Sequence, residues 1–98
     1  MALTIKWSRK SEKKFDLILD YLTDEFGEIT TAEFVKKVFD FLTILAEFPK
    51  IGSLESKEYA IRGFVIVKQI TLFYQVRNNT IILLNFYDNR QKPKKSKF

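Results

Sequence analysis

The chain has 98 residues, a length that predicts one domain built around a single core. Hydrophobic residues make up 46% of the sequence and ten residues are Phe, which excludes disorder as a description of the whole chain. The net charge is +5, and the absence of Cys and His excludes disulfide scaffolds, thiolate or imidazole metal sites, Cys nucleophiles and Ser–His catalysis.

The basic charge is concentrated in the second half of the chain. Residues 1–58 hold 9 basic and 11 acidic side chains, whereas residues 59–98 hold 8 basic and 1 acidic. This asymmetry predicts that a polyanion or an acidic protein meets the C-terminal half. The sequence shows no apolar run long enough for a membrane span and no signal peptide, so we expect a cytoplasmic protein without a membrane partner.

A strand and a first helix are predicted at the start of the chain. Apolar and polar residues alternate up to Trp7, which is typical of a half-buried strand. Ser8 is a good helix N-cap, and Gly27 suits the left-handed conformation that ends a helix. Between them the apolar residues recur at helical spacing: Phe15, Ile18, Leu19, Leu22 and Phe26.

A second helix is predicted to begin at a capping box formed by Thr30 and Glu33 and to end before Pro49 and Gly52. One predicted face of this helix is apolar and consists of Val35, Val38, Leu42, Leu45 and Phe48, with Phe34, Phe41 and Ile44 beside it. Because about three residues join two helices of similar length, we expect an antiparallel helical hairpin.

The remaining chain is rich in β-branched and aromatic residues and predicts three strands, at about 59–67, 70–77 and 80–87. Asn78 and Asn79 tolerate the positive φ angles of a tight hairpin turn. The sequence therefore predicts an α+β fold of order β-α-α-β-β-β, with the helical hairpin on one face of a mostly antiparallel four-stranded sheet and the first strand at its edge.

Few residues could carry chemistry, and each has a structural alternative. Arg62 could contact a target or pair with a carboxylate of the helical hairpin. Tyr74 and Gln75 stand in mid-strand, and Tyr74 could be a core aromatic with its hydroxyl at the rim of the core. Asp88 could cap the strand end or pair with Arg90.

The C-terminal segment is strongly basic. Its lysines could form a solubilising tail or an arm that contacts phosphates. The predicted target-binding residues are Arg62, Arg90, Lys92, Lys94, Lys95 and Lys97. No metal-binding or cofactor-binding motif occurs, so no cofactor is predicted.

Several short motifs, taken in order, resemble the RelE/ParE toxin superfamily over residues 4 to 93. These are Trp7-Ser8 at the entry to the first helix, Phe-Pro-Lys-Ile-Gly at 48–52, Ile61-Arg62, Phe-Tyr-Gln-Val at 73–76, and Asp-Asn-Arg-Gln-Lys-Pro at 88–93. The resemblance implies one toxin domain over residues 1–93, and the basic composition of the chain end predicts a flexible tail at 94–98. It also implies the toxin half of a bacterial type II toxin–antitoxin pair, of the kind that stabilises plasmids, with a cognate antitoxin and with operator DNA bound only through the antitoxin complex.

The two branches of this superfamily imply different activities. RelE-like members cut messenger RNA on the ribosome, whereas ParE-like members bind DNA gyrase without catalysing RNA cleavage. This chain departs from the nuclease pattern, since Thr71 and Leu72 stand where many nucleases carry an Arg, and since neither a His nor a Tyr follows Pro93. Only Arg90, and loosely Lys68, match nuclease positions.

The resemblance therefore favours a ParE-like gyrase inhibitor that is not an enzyme. A RelE-like ribosome-dependent endoribonuclease and a non-toxic relic that still binds antitoxin are the alternatives. In the nuclease alternative Arg90 would stabilise charge at the phosphate, and the base would be a Lys, a Tyr or a carboxylate such as Asp88.

Overall fold

The structure of the protein is a computed structural model that describes residues 2–90 and 97–98. Its elements along the chain are β1 (Thr4–Trp7), α1 (Arg9–Phe26), α2 (Glu28–Glu47), β2 (Ser53–Ser56), β3 (Ile61–Val67), β4 (Ile70–Arg77) and β5 (Thr80–Asp88). They form one sheet of order β1-β5-β4-β3-β2, in which β1 runs parallel to β5 and all other neighbours are antiparallel. The predicted α+β fold, with its helical hairpin on a mostly antiparallel sheet, is confirmed.

The sheet has five strands, and the prediction of four missed β2. This strand has the sequence Ser-Leu-Glu-Ser, which shows neither alternation nor enrichment in β-branched residues. It forms because it pairs with β3, where Ser53 faces Gly63 and Leu54 faces Arg62. Such a short edge strand is specified by its tertiary partner, and no local pattern in the sequence indicates it.

The start of the second helix was also predicted wrongly. The helix α2 begins at Glu28, directly after Gly27, and the capping box proposed at Thr30 is already inside it. Gly27 adopts a φ of 90° and serves as the C-cap of α1 and the N-cap of α2. One residue therefore joins the two helices where three were predicted, because glycine can reverse the chain in a conformation that other residues avoid.

Other local predictions hold. The side chain of Ser8 accepts a hydrogen bond from the Ser11 backbone N–H at 3.1 Å and so caps α1. Asn78 and Asn79 take φ angles of 49° and 59°, as a two-residue hairpin turn between β4 and β5 requires.

The core lies between the helical hairpin and one face of the sheet. Val38, Leu42 and Leu45 of α2 are buried there, and the predicted α1 residues Phe15, Ile18 and Leu22 pack against them partly exposed. We call this side of the sheet the helix face; its strand residues include Leu72, Tyr74, Ile81, Leu83 and Phe86.

The opposite side of the sheet we call the outer face; its residues include Gly63, Thr71, Phe73, Asn85 and Tyr87, which lie opposite one another across β3, β4 and β5. Residues 94–96 of the predicted flexible tail lie outside the described residues, as do Lys92 and Pro93, whereas Lys97 and Phe98 lie against this face. Among the described residues no helix is both long and apolar enough to cross a membrane.

Candidate functional site

The loop after α2 is bound by side chains of two strands. The Tyr74 hydroxyl donates a hydrogen bond to the Pro49 carbonyl at 2.9 Å and accepts one from the Gly52 N–H at 2.9 Å. The Arg62 guanidinium donates to the Gly52 carbonyl at 2.7 Å and to the Lys50 carbonyl at 3.3 Å. Arg62 is therefore bound to loop carbonyls, and the helical-hairpin carboxylate suggested by the sequence is not its partner among the hydrogen bonds of the described residues.

Tyr74 is a core aromatic, which is the structural alternative that the sequence analysis named for it. Its side chain is fully buried, and burial raises the pKa of its hydroxyl above the ordinary value. A Tyr whose deprotonated form is disfavoured and whose hydroxyl already has two backbone partners is a poor general base. Its neighbour Gln75 donates from its side-chain amide to the Tyr59 carbonyl at 2.8 Å, which is also a structural contact.

The glycine of this loop is needed for the same contact. A Cβ atom at Gly52 would lie 2.7 Å from the Tyr74 hydroxyl oxygen and 2.8 Å from the Gly63 carbonyl oxygen. The glycine in the Phe-Pro-Lys-Ile-Gly motif is thus explained by close approach to β3 and β4. The loop places Phe48 and Ile51 at the surface, where both remain exposed.

Asp88 and Arg90 form a two-point ion pair at the end of β5. The Asp88 carboxylate accepts hydrogen bonds from Nε of Arg90 at 3.1 Å and from Nη2 at 2.9 Å, and also from the Arg90 backbone N–H at 2.9 Å. These bonds lower the pKa of Asp88, and the carboxylate together with a hydrogen bond to Tyr21 raises the pKa of Arg90. A carboxylate with a lowered pKa is a weak base. The pair uses Nε and Nη2 of Arg90, so a phosphate could bind the other N–H groups of the guanidinium or take the place of the carboxylate.

The turn between β3 and β4 is tied to the same end of the sheet. Asn89 donates from its backbone N–H to the Gln69 carbonyl at 2.7 Å and from its side chain to the Lys68 carbonyl at 3.2 Å. The Asn89 side-chain oxygen accepts from the Thr71 hydroxyl at 2.8 Å. Lys68 and Arg90, the two nuclease-like positions, are therefore brought to one end of the sheet.

The described members of the predicted target-binding set, Arg62, Arg90 and Lys97, lie at different places on the sheet. Arg62 faces Tyr74 of β4, whereas Asp88, the partner of Arg90, faces Ile70 of the same strand. Tyr74 and Ile70 are four residues apart, so these two places on the sheet are separated by about 13 Å at 3.3 Å per residue. Lys97 lies over the outer face, with its Nζ 5.9 Å from the centre of the Tyr87 ring. Lys92, Lys94 and Lys95 lie outside the described residues.

Comparison with models of known protein families shows the family to which this chain belongs. The model of the ParE toxin of type II toxin–antitoxin systems, parDE, matches residues 5–93. The chain belongs to this family. Membership confirms the RelE/ParE relationship indicated by the sequence motifs and makes the protein the toxin partner of a cognate antitoxin.

Solved structures share the fold of this chain. A chromosomal ParDE toxin–antitoxin system from P. aeruginosa aligns with a TM-score of 0.73 and 18% identity, over 89% of this chain and 96% of that chain. The YoeB dimer from Staphylococcus aureus aligns with a TM-score of 0.62 and 20% identity, over 88% and 95% of the two chains. At these identities the similarity shows the fold alone. No curated protein matches the sequence.

Sequence reasoning missed two features of this ParE-family toxin. Tyr21 of α1 lies beside Asp88 at the end of β5 and helps to raise the pKa of Arg90, although only the fold brings α1 to this end of the sheet. Asn85 is buried on the outer face, and its position inside an otherwise apolar strand was the signal that could have identified it. Within residues 2–90 and 97–98, no group of three or more acidic side chains is placed to hold a metal ion.

Proposed function

We propose that this ParE-family toxin inhibits DNA gyrase by binding to it, without catalysis, and that its cognate antitoxin neutralises it by occupying the toxin. The observation that carries this proposal is the match of the ParE toxin family to residues 5–93. The toxin would act in the cytoplasm, through one domain at residues 1–93, and a plasmid that carried the pair would be stabilised by it.

The polar residues of the fold support binding in preference to proton transfer. Asp88 has a lowered pKa and a two-point arginine partner, and Tyr74 is buried with its hydroxyl bonded to the loop. Neither residue is suited to take a proton from a ribose hydroxyl near neutral pH. Thr71, which stands where many nucleases have Arg, is bonded to Asn89 and so plays a structural role.

The target-binding surface that we propose is the basic C-terminal half. Arg90 lies at the end of β5 and is followed by Lys92, Lys94, Lys95 and Lys97. Arg62 would contribute by holding the loop at residues 49–52 in shape, since its guanidinium is bound to two carbonyls of that loop.

One arrangement favours the second candidate, a RelE-like ribosome-dependent endoribonuclease. Lys68 and Arg90 come to the same end of the sheet, where a phosphate could meet both. In that case the phosphate would bind the N–H groups of Arg90 that do not bind Asp88, or would take the place of the carboxylate.

Purified toxin distinguishes the two functions. We expect it to stop supercoiling by gyrase and to stabilise the cleaved-DNA complex, while translated messenger RNA stays intact; addition of antitoxin should restore supercoiling. Cleavage of messages in the ribosomal A site that is lost on Arg90→Ala would contradict the proposal and establish the nuclease. A protein that affects neither assay but binds antitoxin would be a non-toxic relic.

A further inference from the structure

One carboxylate stands alone in the basic half of the sequence. Residues 59–98 hold 8 basic side chains and 1 acidic side chain, which is Asp88. A negative charge in this segment reduces its attraction for an acidic target. The contacts of Asp88 indicate what it contributes to binding in spite of its charge.

Asp88 binds Arg90 at both ends of the arginine side chain. One carboxylate oxygen accepts hydrogen bonds from the Arg90 backbone N–H at 2.9 Å and from Nε at 3.1 Å, and the other accepts from Nη2 at 2.9 Å. The first bond closes a short turn of the backbone, and the other two form a fork on one edge of the guanidinium. A long side chain that is bound in this way has lost rotamer freedom before any target arrives.

The end of β5 is attached to the sheet by another residue. Asn89 bonds to the Gln69 carbonyl through its backbone N–H and to the Lys68 carbonyl through its side chain. Within the part of the chain that the structure describes, the hydrogen bonds accepted by the Asp88 carboxylate all come from Arg90. The side chains of this pair are 26% and 60% exposed, and exposed ion pairs contribute little to stability. The main effect of Asp88 is therefore on the orientation of Arg90.

The fold in turn places the carboxylate. Asp88 lines a small cleft beside α1, together with Leu17 and Tyr21 of that helix. The hydrogen bond from Arg90, and to a smaller extent the charge of Lys14, hold the pKa of Asp88 below its ordinary value. The carboxylate is thus ionised at neutral pH, as a fork with a guanidinium requires.

Arg90 has a second edge that Asp88 does not use. A guanidinium carries five N–H groups, and the side-chain fork to Asp88 uses one on Nε and one on Nη2. The remaining groups lie on Nη1 and Nη2, where they offer two parallel donors to another carboxylate. The Arg90 side chain is 60% exposed, so a partner can reach it.

We propose that Asp88 is a positioning residue for target binding, which holds the guanidinium of Arg90 so that its Nη1–Nη2 edge meets a carboxylate of gyrase. This inference rests on the proposed function, in which gyrase is the target. Asp88 itself does not touch gyrase and acts through Arg90.

The sign of one charge substitution distinguishes positioning from simple charge compensation. Asp88→Asn in the full-length toxin keeps the size of the side chain and raises the net charge of +5 by one. If Asp88 only compensated positive charge, its neutralisation would tighten binding to an acidic surface. We expect gyrase binding to become about two- to tenfold weaker, because the freed arginine must be ordered again on binding. Surface plasmon resonance measures this change, and unchanged or tighter binding would overturn the proposal.

The matched control is Asp40→Asn on α2. Asp40 binds Lys36 at 2.7 Å in an exposed ion pair, so this variant makes the same change of charge without touching Arg90. It should not weaken gyrase binding. Equal weakening by Asp40→Asn and Asp88→Asn would show a general effect of charge and would contradict positioning.

A double substitution tests whether Asp88 acts through Arg90. In the Arg90→Ala background, Asp88→Asn should not weaken gyrase binding any further, since there is no guanidinium left to orient. Further weakening in this background would mean that Asp88 acts on the target or on the fold directly, and the proposal would be wrong. Circular dichroism verifies that each variant is folded.

Nuclear magnetic resonance of the free toxin tests positioning without gyrase. The heteronuclear ¹⁵N NOE of the Arg90 Nε–H group reports its motion on the picosecond-to-nanosecond timescale. This group should be ordered in the wild type and mobile in Asp88→Asn; equal mobility in the two proteins would overturn the proposal. Wild-type toxin that binds no gyrase would instead refute the proposed function, and the NMR comparison would still decide whether Asp88 orders Arg90.

The gyrase titrations are run with and without DNA, because a phosphate could also bind the free edge of Arg90. The effect of Asp88→Asn should be present without DNA. An effect that occurs only with DNA would assign the edge to a DNA phosphate, and the proposed carboxylate partner would be wrong.

Discussion

At the scale of single residues, the polar groups of this toxin act mainly on their own chain. Tyr74 and Arg62 hold the loop after α2, and Asp88 holds Arg90. The sequence could identify these residues as unusual, because polar side chains inside apolar strands stand out. It could not identify their partners, since loop carbonyls at residues 49–52 leave no mark in the sequence.

The Tyr74 hydroxyl can be tested by Tyr74→Phe. This change leaves the Gly52 N–H and the Pro49 carbonyl without their partner in a buried place, so the free energy of unfolding should fall by about 1–3 kcal/mol. Chemical denaturation measures the change. The matched variant Tyr59→Phe removes an exposed hydroxyl and should be nearly neutral; equal effects of the two substitutions would contradict the role given to Tyr74.

The ion pair at the end of β5 predicts a pH dependence. Because Arg90 lowers the pKa of Asp88 in the folded state below its ordinary value of 3.8, the pair stabilises the fold above that value. The stabilisation is lost as the pH falls through the lowered pKa. The difference in unfolding free energy between the wild type and Asp88→Asn should therefore be constant near neutral pH and vanish in acid. The same difference should shrink in high salt, because the pair is exposed to solvent. A difference that grows in acid would exclude this account.

At the scale of elements, the helices follow from their apolar periodicity, and their packing decides how much each residue contributes. Leu42 of α2 lies in the core at 6% exposure, whereas Leu17 of α1 is 55% exposed. Both are leucines in helices, so their intrinsic helix propensities are the same. Only their burial differs.

Replacement of Leu42 by Ala should lower the free energy of unfolding by about 2–5 kcal/mol, because it removes buried methyl groups and leaves a cavity. Leu17→Ala should change stability by no more than about 0.5 kcal/mol, the usual range for surface positions. Thermal or denaturant unfolding of both variants measures the difference. Similar losses at the two positions would show that α2 does not face the sheet as described.

At the scale of the whole molecule, charge is divided between the two halves of the sequence. The acidic residues are concentrated in the segment that forms the helices, and the last 40 residues carry 8 basic side chains against 1 acidic. Such a distribution accelerates encounter with an acidic surface and makes binding sensitive to salt.

If the C-terminal lysines contact the target, changing Lys92, Lys94, Lys95 and Lys97 together to Ala should weaken gyrase binding and flatten its dependence on salt concentration. Titrations at several salt concentrations measure the slope. The matched variant changes four lysines of the first half (Lys6, Lys10, Lys13 and Lys36) and should leave the slope unchanged. The antitoxin complex and the fold should survive both sets of changes; an unaltered slope in the C-terminal variant would remove these lysines from the target surface.

The sequence by itself determined the fold class, both helices, the three long strands and the tight turn at Asn78 and Asn79, because each has a local cause: apolar periodicity, capping residues or tolerance of positive φ. Family motifs spread over the chain also indicated the toxin family. Only the tertiary structure decided the fifth strand, the one-residue link at Gly27 and the partners of Arg62 and Tyr74. It also placed Lys97 and Phe98 on the outer face. These features depend on contacts between residues that are distant along the chain, and such contacts leave no periodic pattern in the sequence from which they could be predicted.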